Sequence, residues 1–176
     1  MIDISPKPSA LYLKPGELFI GKIPVMITTV LGSCISVTMF HQRSRVAAIC
    51  HAVMPNWRER TRYKIDSIEA FKYVNLIIPE MLRKMQKHGA GLKEIEVKLF
   101  GGADTFTDGP KTARIQSIGA QNTAAARQMI ESMGLRLKVA DTGGPWGRKI
   151  IFCTRTGDVL MKYLRSTGLF GSAQKP

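Results

Sequence analysis

Apolar residues in this chain alternate with small or polar ones between residues 24 and 53, the period of half-buried strands. PVMITTV at 24–30 is β-branched and apolar. CISVTMF at 34–40 sets Ile35, Val37 and Met39 on one face and Cys34, Ser36 and Thr38 on the other. RVAAICHAV at 45–53 reads as a third strand, ended by Met54-Pro55. Gly32-Ser33 and the turn-like His41-Gln42-Arg43-Ser44 separate these runs, so antiparallel pairing is expected.

The period then changes. After the basic stretch 56–65, Asp66 reads as a helix N-cap. Ile68, Phe71, Val74, Ile77, Ile78, Met81, Leu82 and Met85 follow at helical spacing, which predicts an amphipathic helix of about 20 residues. Pro79 predicts a kink in it, and Gly89 and Gly91 end it. Ile95, Val97 and Leu99 alternate into Phe100-Gly101-Gly102-Ala103. A second helix is expected over Asn122–Met133, then strands over 135–140, 150–154 and 159–164. Strands, a long helix, a strand, a helix and more strands predict an α+β or mixed layered domain. One domain spans 1–176, with irregular ends over 1–16 and 167–176.

Composition narrows the chemistry. With 44% hydrophobic residues the chain builds a core without disulfides or metal. Three cysteines, none in CxxC spacing, argue against a disulfide framework or a zinc cluster. No run approaches the ~20 apolar residues of a membrane span, and the N-terminus lacks a secretory pattern. A cytoplasmic location without membrane insertion is therefore expected. The net charge of +13, from 26 Lys and Arg against 13 Asp and Glu, predicts attraction to polyanions or acidic protein surfaces. The basic residues are scattered and aromatics make up only 7%, so no nucleic-acid partner is expected. No GxGxxG opens a helix and no GKS/T is present, so the glycine clusters do not form a phosphate-binding fingerprint.

Cys34 and His51 are the candidate chemistry. A thiol beside an imidazole is the minimal kit for nucleophilic attack on a carbonyl. A loop over residues 41–44 pairs Phe40 with Arg45, and in that register Cys34 lies directly opposite His51. The same register gathers Ile35, Val37, Met39, Val46, Ala48 and Cys50 on the other, buried face. Cys50 and Cys153 read as small buried hydrophobes. His41, in a turn, and His88, at a helix end, lack a comparable partner, and Ser33 is a rival nucleophile that belongs to the turn. No acidic residue lies in the three strands to orient the imidazole; Thr28 and Thr29 do lie there, and spacing does not choose between them. Backbone N–H groups at Ser33 or Cys34 are candidates for an oxyanion hole, with Gly32 beside them in the turn.

These residues resemble the bacterial chemoreceptor glutamine deamidases, the CheD family, over roughly residues 17–164. The anchors are Thr28, LGSC at 31–34, His51 with Pro55, FGGA at 100–103, Ile118-Gly119 with Asn122, and Asp141-x-Gly143-Gly144-x-x-Gly147-Arg148. The resemblance implies a cysteine-histidine-threonine triad of Cys34, His51 and Thr28. It implies hydrolysis of receptor glutamine amides to glutamate and ammonia, without cofactor or metal. The fold it implies is a layered α/β/α arrangement similar to the deamidase domain of cytotoxic necrotizing toxins. The implied partners are chemoreceptor cytoplasmic helices and a chemotaxis phosphatase; a catalytically idle adaptor is the rival reading. The sequence departs from the family pattern at Val53-Met54 before Pro55, at Asp104-Thr105-Phe106, and in the basic loop with Arg58, Arg60, Arg62 and Lys64.

Overall fold

The structure is a computed structural model that describes residues 9–57, 69–104 and 116–164. Asp66, Ile68, the basic side chains of the loop, Thr105-Phe106 and the C-terminal tail lie outside these residues. Among the described residues nine strands form two sheets. β1 (Ser9–Tyr12), β3 (Val25–Leu31), β8 (Gly147–Cys153) and β9 (Val159–Leu164) make a four-stranded sheet in the order β1-β3-β8-β9. β2 (Leu18–Gly21), β5 (Val46–Cys50), β4 (Ile35–His41), β6 (Ile95–Gly101) and β7 (Leu137–Thr142) make the second, in the order β2-β5-β4-β6-β7. Pairing is antiparallel except for β1 with β3 and β6 with β7.

The α+β class expected from the sequence holds. Both helices, α1 (Val74–Lys87) and α2 (Ile118–Ser132), pack on one side of the five-stranded sheet. Ile77, Ile78, Met81 and Met85 of α1 and Ala126 and Ile130 of α2 meet Ile35, Val37, Met39, Ala48, Cys50, Val97 and Leu99 there. The other side of that sheet offers Phe40, Ala47, Ile49 and Phe100 to Ile27, Leu31, Ile150 and Phe152 of the four-stranded sheet. Among the described residues the layers therefore run helices, five strands, four strands. β4 is buried at every position because both its faces are covered.

Local chemistry explains most boundaries. α1 runs unbroken through Pro79 and follows a short 3-10 turn at Ala70–Lys72. α2 begins earlier than its apolar stripe predicts, because Ser117 caps it by accepting the Ala120 N–H at 3.1 Å. His41, expected in a turn, instead ends β4 at 1% exposure, its ring bonded to Ser44 (2.7 Å) and Glu94 (3.1 Å). β1 falls within the 1–16 segment expected to be irregular, and β2 in a stretch assigned no element; each has only four residues, too few to show a period.

Candidate active site

Strand alternation delivers the site to the seam between the two sheets. In β3 the odd-numbered residues face inward: Val25, Ile27, Thr29 and Leu31 are buried, while Met26, Thr28 and Val30 point to the outer face. In β4 and its partner the inward set is Ser36, Thr38 and Phe40 with Ala47, Ile49 and His51, and Cys34 leads into it.

The hairpin register differs from expectation by two residues. His41 pairs with Val46 and Met39 with Ala48, and the Ile35–Ala52 bridge continues the same register. His41 stays in the strand through its bonds to Ser44 and Glu94, and Arg45 takes a φ of 55° in the turn, so the loop is 42–45. A shift of two preserves every face, whereas a shift of one would invert them. His51 therefore stands opposite Ser36, and Cys34 is its diagonal neighbour on the same face. Such diagonal positions are typically about 7–8 Å apart at the backbone, and no hydrogen bond joins the Cys34 thiol to His51 Nε2.

The hydroxyl that meets the imidazole belongs to Thr29. Its Oγ1 lies 2.8 Å from His51 Nδ1 and donates to the Leu13 carbonyl, also at 2.8 Å. Thr28, the threonine implied by the family pattern, is turned to the outer face of the four-stranded sheet, where it pairs with Tyr12 and Ile151. Inward residues of β3 carry odd numbers, and Thr29, rather than Thr28, is the threonine whose hydroxyl reaches the imidazole. The bonding also fixes the tautomer. A hydroxyl has one proton, and the Leu13 carbonyl can only accept it. Thr29 must therefore accept from His51, which puts the ring proton on Nδ1 and leaves Nε2 with its lone pair. Nε2 is buried and has no hydrogen-bond partner among the described residues.

Burial sets the charge state. It pushes the Cys34 thiol up, although the residue's own N–H counteracts this. It pushes His51 below the usual imidazole value, against the opposing pull of the Leu13 carbonyl and the Glu17 charge. Both shifts act in the direction of the neutral thiol and the neutral imidazole.

The turn bearing Cys34 is held by its carbonyls. Gly32 O accepts from Ala103 N (2.8 Å), Ser33 O from Asn122 Nδ2 (2.8 Å) and Cys34 O from Gly102 N (2.8 Å). In a trans peptide each N–H points opposite the preceding carbonyl. The Ser33 and Cys34 N–H groups accordingly point away from these partners, and among the described residues neither donates to a backbone carbonyl. Gly32 contributes a carbonyl anchor rather than a donor.

The glycine motifs gain a physical meaning here. A Cβ on Gly101 would overlap the Cys34 carbonyl oxygen, and one on Gly119 would overlap the Gly102 and Ala103 oxygens. Arg148, 2% exposed, donates to Asp141 (2.6 Å) and to the Gly143 carbonyl (2.6 Å), and Gly143 N donates to Gly101 O (3.0 Å). FGGA and the Asp-Gly-Gly-Arg segment are a strut behind the cysteine.

Other titratable groups stand apart. Cys50 is buried, its thiol pushed up to about 12. Cys153, expected in the core, is only half-buried. Burial raises its thiol, but bonds from Thr156 and the backbone of Arg155 and Thr156 outweigh that and lower it. Among the described residues no three His, Cys, Asp or Glu side chains gather as metal ligands, and no helix is long and apolar enough to cross a membrane. Spacing left Thr28 and Thr29 open, and gave Asn122 no role in the site. The available signal for Asn122 was an amide on the same helical stripe as Ala126 and Ile130.

The chain is similar to known proteins of one family. A family profile described as "CheD chemotactic sensory transduction" matches residues 54–163. A Geobacter sulfurreducens protein named "Probable chemoreceptor glutamine deamidase CheD 2" is similar at 43% identity, over 92% of this chain and 94% of its own. "Probable chemoreceptor glutamine deamidase CheD" proteins are similar at 38% identity in Maridesulfovibrio salexigens, over 87% of this chain and 91% of its own, and at 32% in Methanococcus maripaludis, over 86% and 94%.

Proposed function

The chain belongs to the CheD family, and from that premise we propose that it is a protein-glutamine deamidase acting on chemoreceptor cytoplasmic helices. The observation that carries this reading is the Thr29-set tautomer of His51, which leaves Nε2 as a free base on the face that Cys34 enters.

The chemistry follows from that arrangement. Nε2 takes the thiol proton as Sγ attacks the carbon of a glutamine side-chain amide. The Ser33 and Cys34 N–H groups stabilise the oxyanion, an element typically worth about 10²–10³ in rate. The protonated Nε2 then gives its proton to the leaving nitrogen, ammonia departs, and a thioester remains. Nε2 next takes a proton from water as the water oxygen attacks that thioester. The proton returns to sulfur, which leaves as the thiol, and glutamate is released. The lowered imidazole suits this sequence, because it favours the unprotonated base.

The enzyme works in the cytoplasm, where the receptor's signalling helices lie. The net charge of +13 favours their acidic surfaces over neutral ones. A chemotaxis phosphatase is the second partner expected of a family member. Incubation with a receptor cytoplasmic fragment tests the reading. Ammonia release, with the mass change of amide to acid at discrete glutamines, is expected. Tight binding with no altered glutamine would instead establish the idle adaptor.

A further inference from the structure

The ladder between β4 and β5 ends where the site begins. Ile35 and Ala52 exchange their two backbone bonds, at 3.0 and 2.9 Å, and form the last rung. Past it the strands part. Val53 N turns away to Lys72 O at 2.7 Å, and Cys34 O is taken by Gly102 N. Among the described residues the turn 32–34 therefore has no backbone bond to Val53 or the residues after it.

One side chain bridges the gap. Asn122, 0% exposed on α2, donates from Nδ2 to Ser33 O at 2.8 Å and to Val53 O at 2.9 Å. An amide nitrogen has two protons, and both are used. Its Oδ1 stays buried with no partner among the described residues, which is unfavourable for an amide oxygen. The amide's position is dictated by packing, since α2 meets the 102–103 backbone at Gly119, one turn earlier, where no Cβ fits.

We propose that Asn122 is a positioning residue for catalysis, setting both the separation of Cys34 from His51 and the direction of the oxyanion-binding amide. Ser33 O and Cys34 N–H belong to one rigid peptide plane. Anchoring the oxygen on Asn122 aims the N–H at the opposite side, toward the substrate. Anchoring Val53 O on the same nitrogen holds the chain two residues beyond His51 to the same reference point. No other described side chain bonds both segments. The inference rests on the deamidase reading for its kinetic effect, and on geometry alone for its effect on the thiol.

The test compares Asn122→Ala and the isosteric Asn122→Asp with Asn75→Ala. Asn75 likewise bonds the N–H (2.8 Å) and carbonyl (3.3 Å) of Trp57, in a connection outside the site, so its loss is a control for stability alone. With a receptor fragment below the melting point of each protein, the Asn122 variants are expected to lose about 10²-fold in kcat with KM within about twofold. Asn75→Ala is expected to lose melting temperature and keep kcat. Independently of any substrate, iodoacetamide labelling of Cys34, scored against Cys153 in the same molecule, should slow about tenfold in the Asn122 variants as the base moves away. Unchanged Cys34 labelling in a folded Asn122 variant overturns the proposal, as does an equal loss of kcat in Asn75→Ala. Wild-type protein that releases no ammonia, but whose Cys34 labelling still depends on Asn122, would overturn the deamidase reading and leave the positioning role standing.

Discussion

Replacing Thr29 by valine removes one hydroxyl and keeps the shape of the side chain. Thr29 is 0% exposed, and its oxygen serves two bonds of 2.8 Å each. Two groups lose a partner together: the Leu13 carbonyl and the His51 Nδ1–H. Each buried orphan typically costs about 1–3 kcal/mol, although relaxation recovers part of that. A stability loss of about 2–3 kcal/mol is expected from urea unfolding. The catalytic cost comes through the ring, which loses both its orientation and its preference for the Nδ1–H tautomer. If the bond contributes about 1.4–2.8 kcal/mol to holding that state, kcat falls about 10- to 100-fold. Thr28→Val is the matched comparison, one residue away on the outer face. Its deamidation rate is expected within about twofold of wild type and its stability within about 0.5 kcal/mol. The assay is ammonia release from a receptor fragment at saturating concentration. A loss of rate in Thr28→Val with full rate in Thr29→Val would refute the assignment and restore the family-derived threonine.

Burial lowers the His51 pKa below its ordinary 6.5, so the deamidation rate should hold as pH falls through that value and drop only at more acid pH. A rate that halves at or above about pH 6.5 would contradict the buried base. The same shift links to stability. Below 6.5 the unfolded chain binds a proton that the folded chain resists, so unfolding free energy falls with falling pH; His51→Ala should flatten that slope in urea titrations. Gly101→Ala combines a φ of 107° with overlap of the Cys34 carbonyl, and is expected to cost about 2–4 kcal/mol in urea unfolding. Gly143→Ala has a φ of 77° but open space around it, and should cost only about 1 kcal/mol.

Faces proved easier to read from the sequence than registers. Alternation in 34–40 and 45–53 correctly separated the helix-facing set of Ile35, Val37, Met39, Ala48 and Cys50 from the site-facing set. The register slipped by two because polar His41 read as turn, whereas a buried ring bonded to Ser44 and Glu94 keeps it in β4. That slip left the faces intact, so the Cys34 and His51 side chains still share one. Choosing between Thr28 and Thr29 required knowing which face of β3 meets the second sheet. PVMITTV is apolar or β-branched at every position and hides its own parity. The layer order depends on where both helices pack, which no local pattern encodes. Asn122 acts across 89 positions of sequence to reach Ser33, and only packing of α2 on the glycine pair brings it there.

The central claim is that Cys34 is the nucleophile of a glutamine deamidase. Its most direct measurement is mass spectrometry of receptor-fragment glutamines after incubation with wild type and with Cys34→Ala, both shown to be folded. The account predicts conversion to glutamate with wild type and none above the enzyme-free control with Cys34→Ala. Conversion at the wild-type rate by the variant would contradict it.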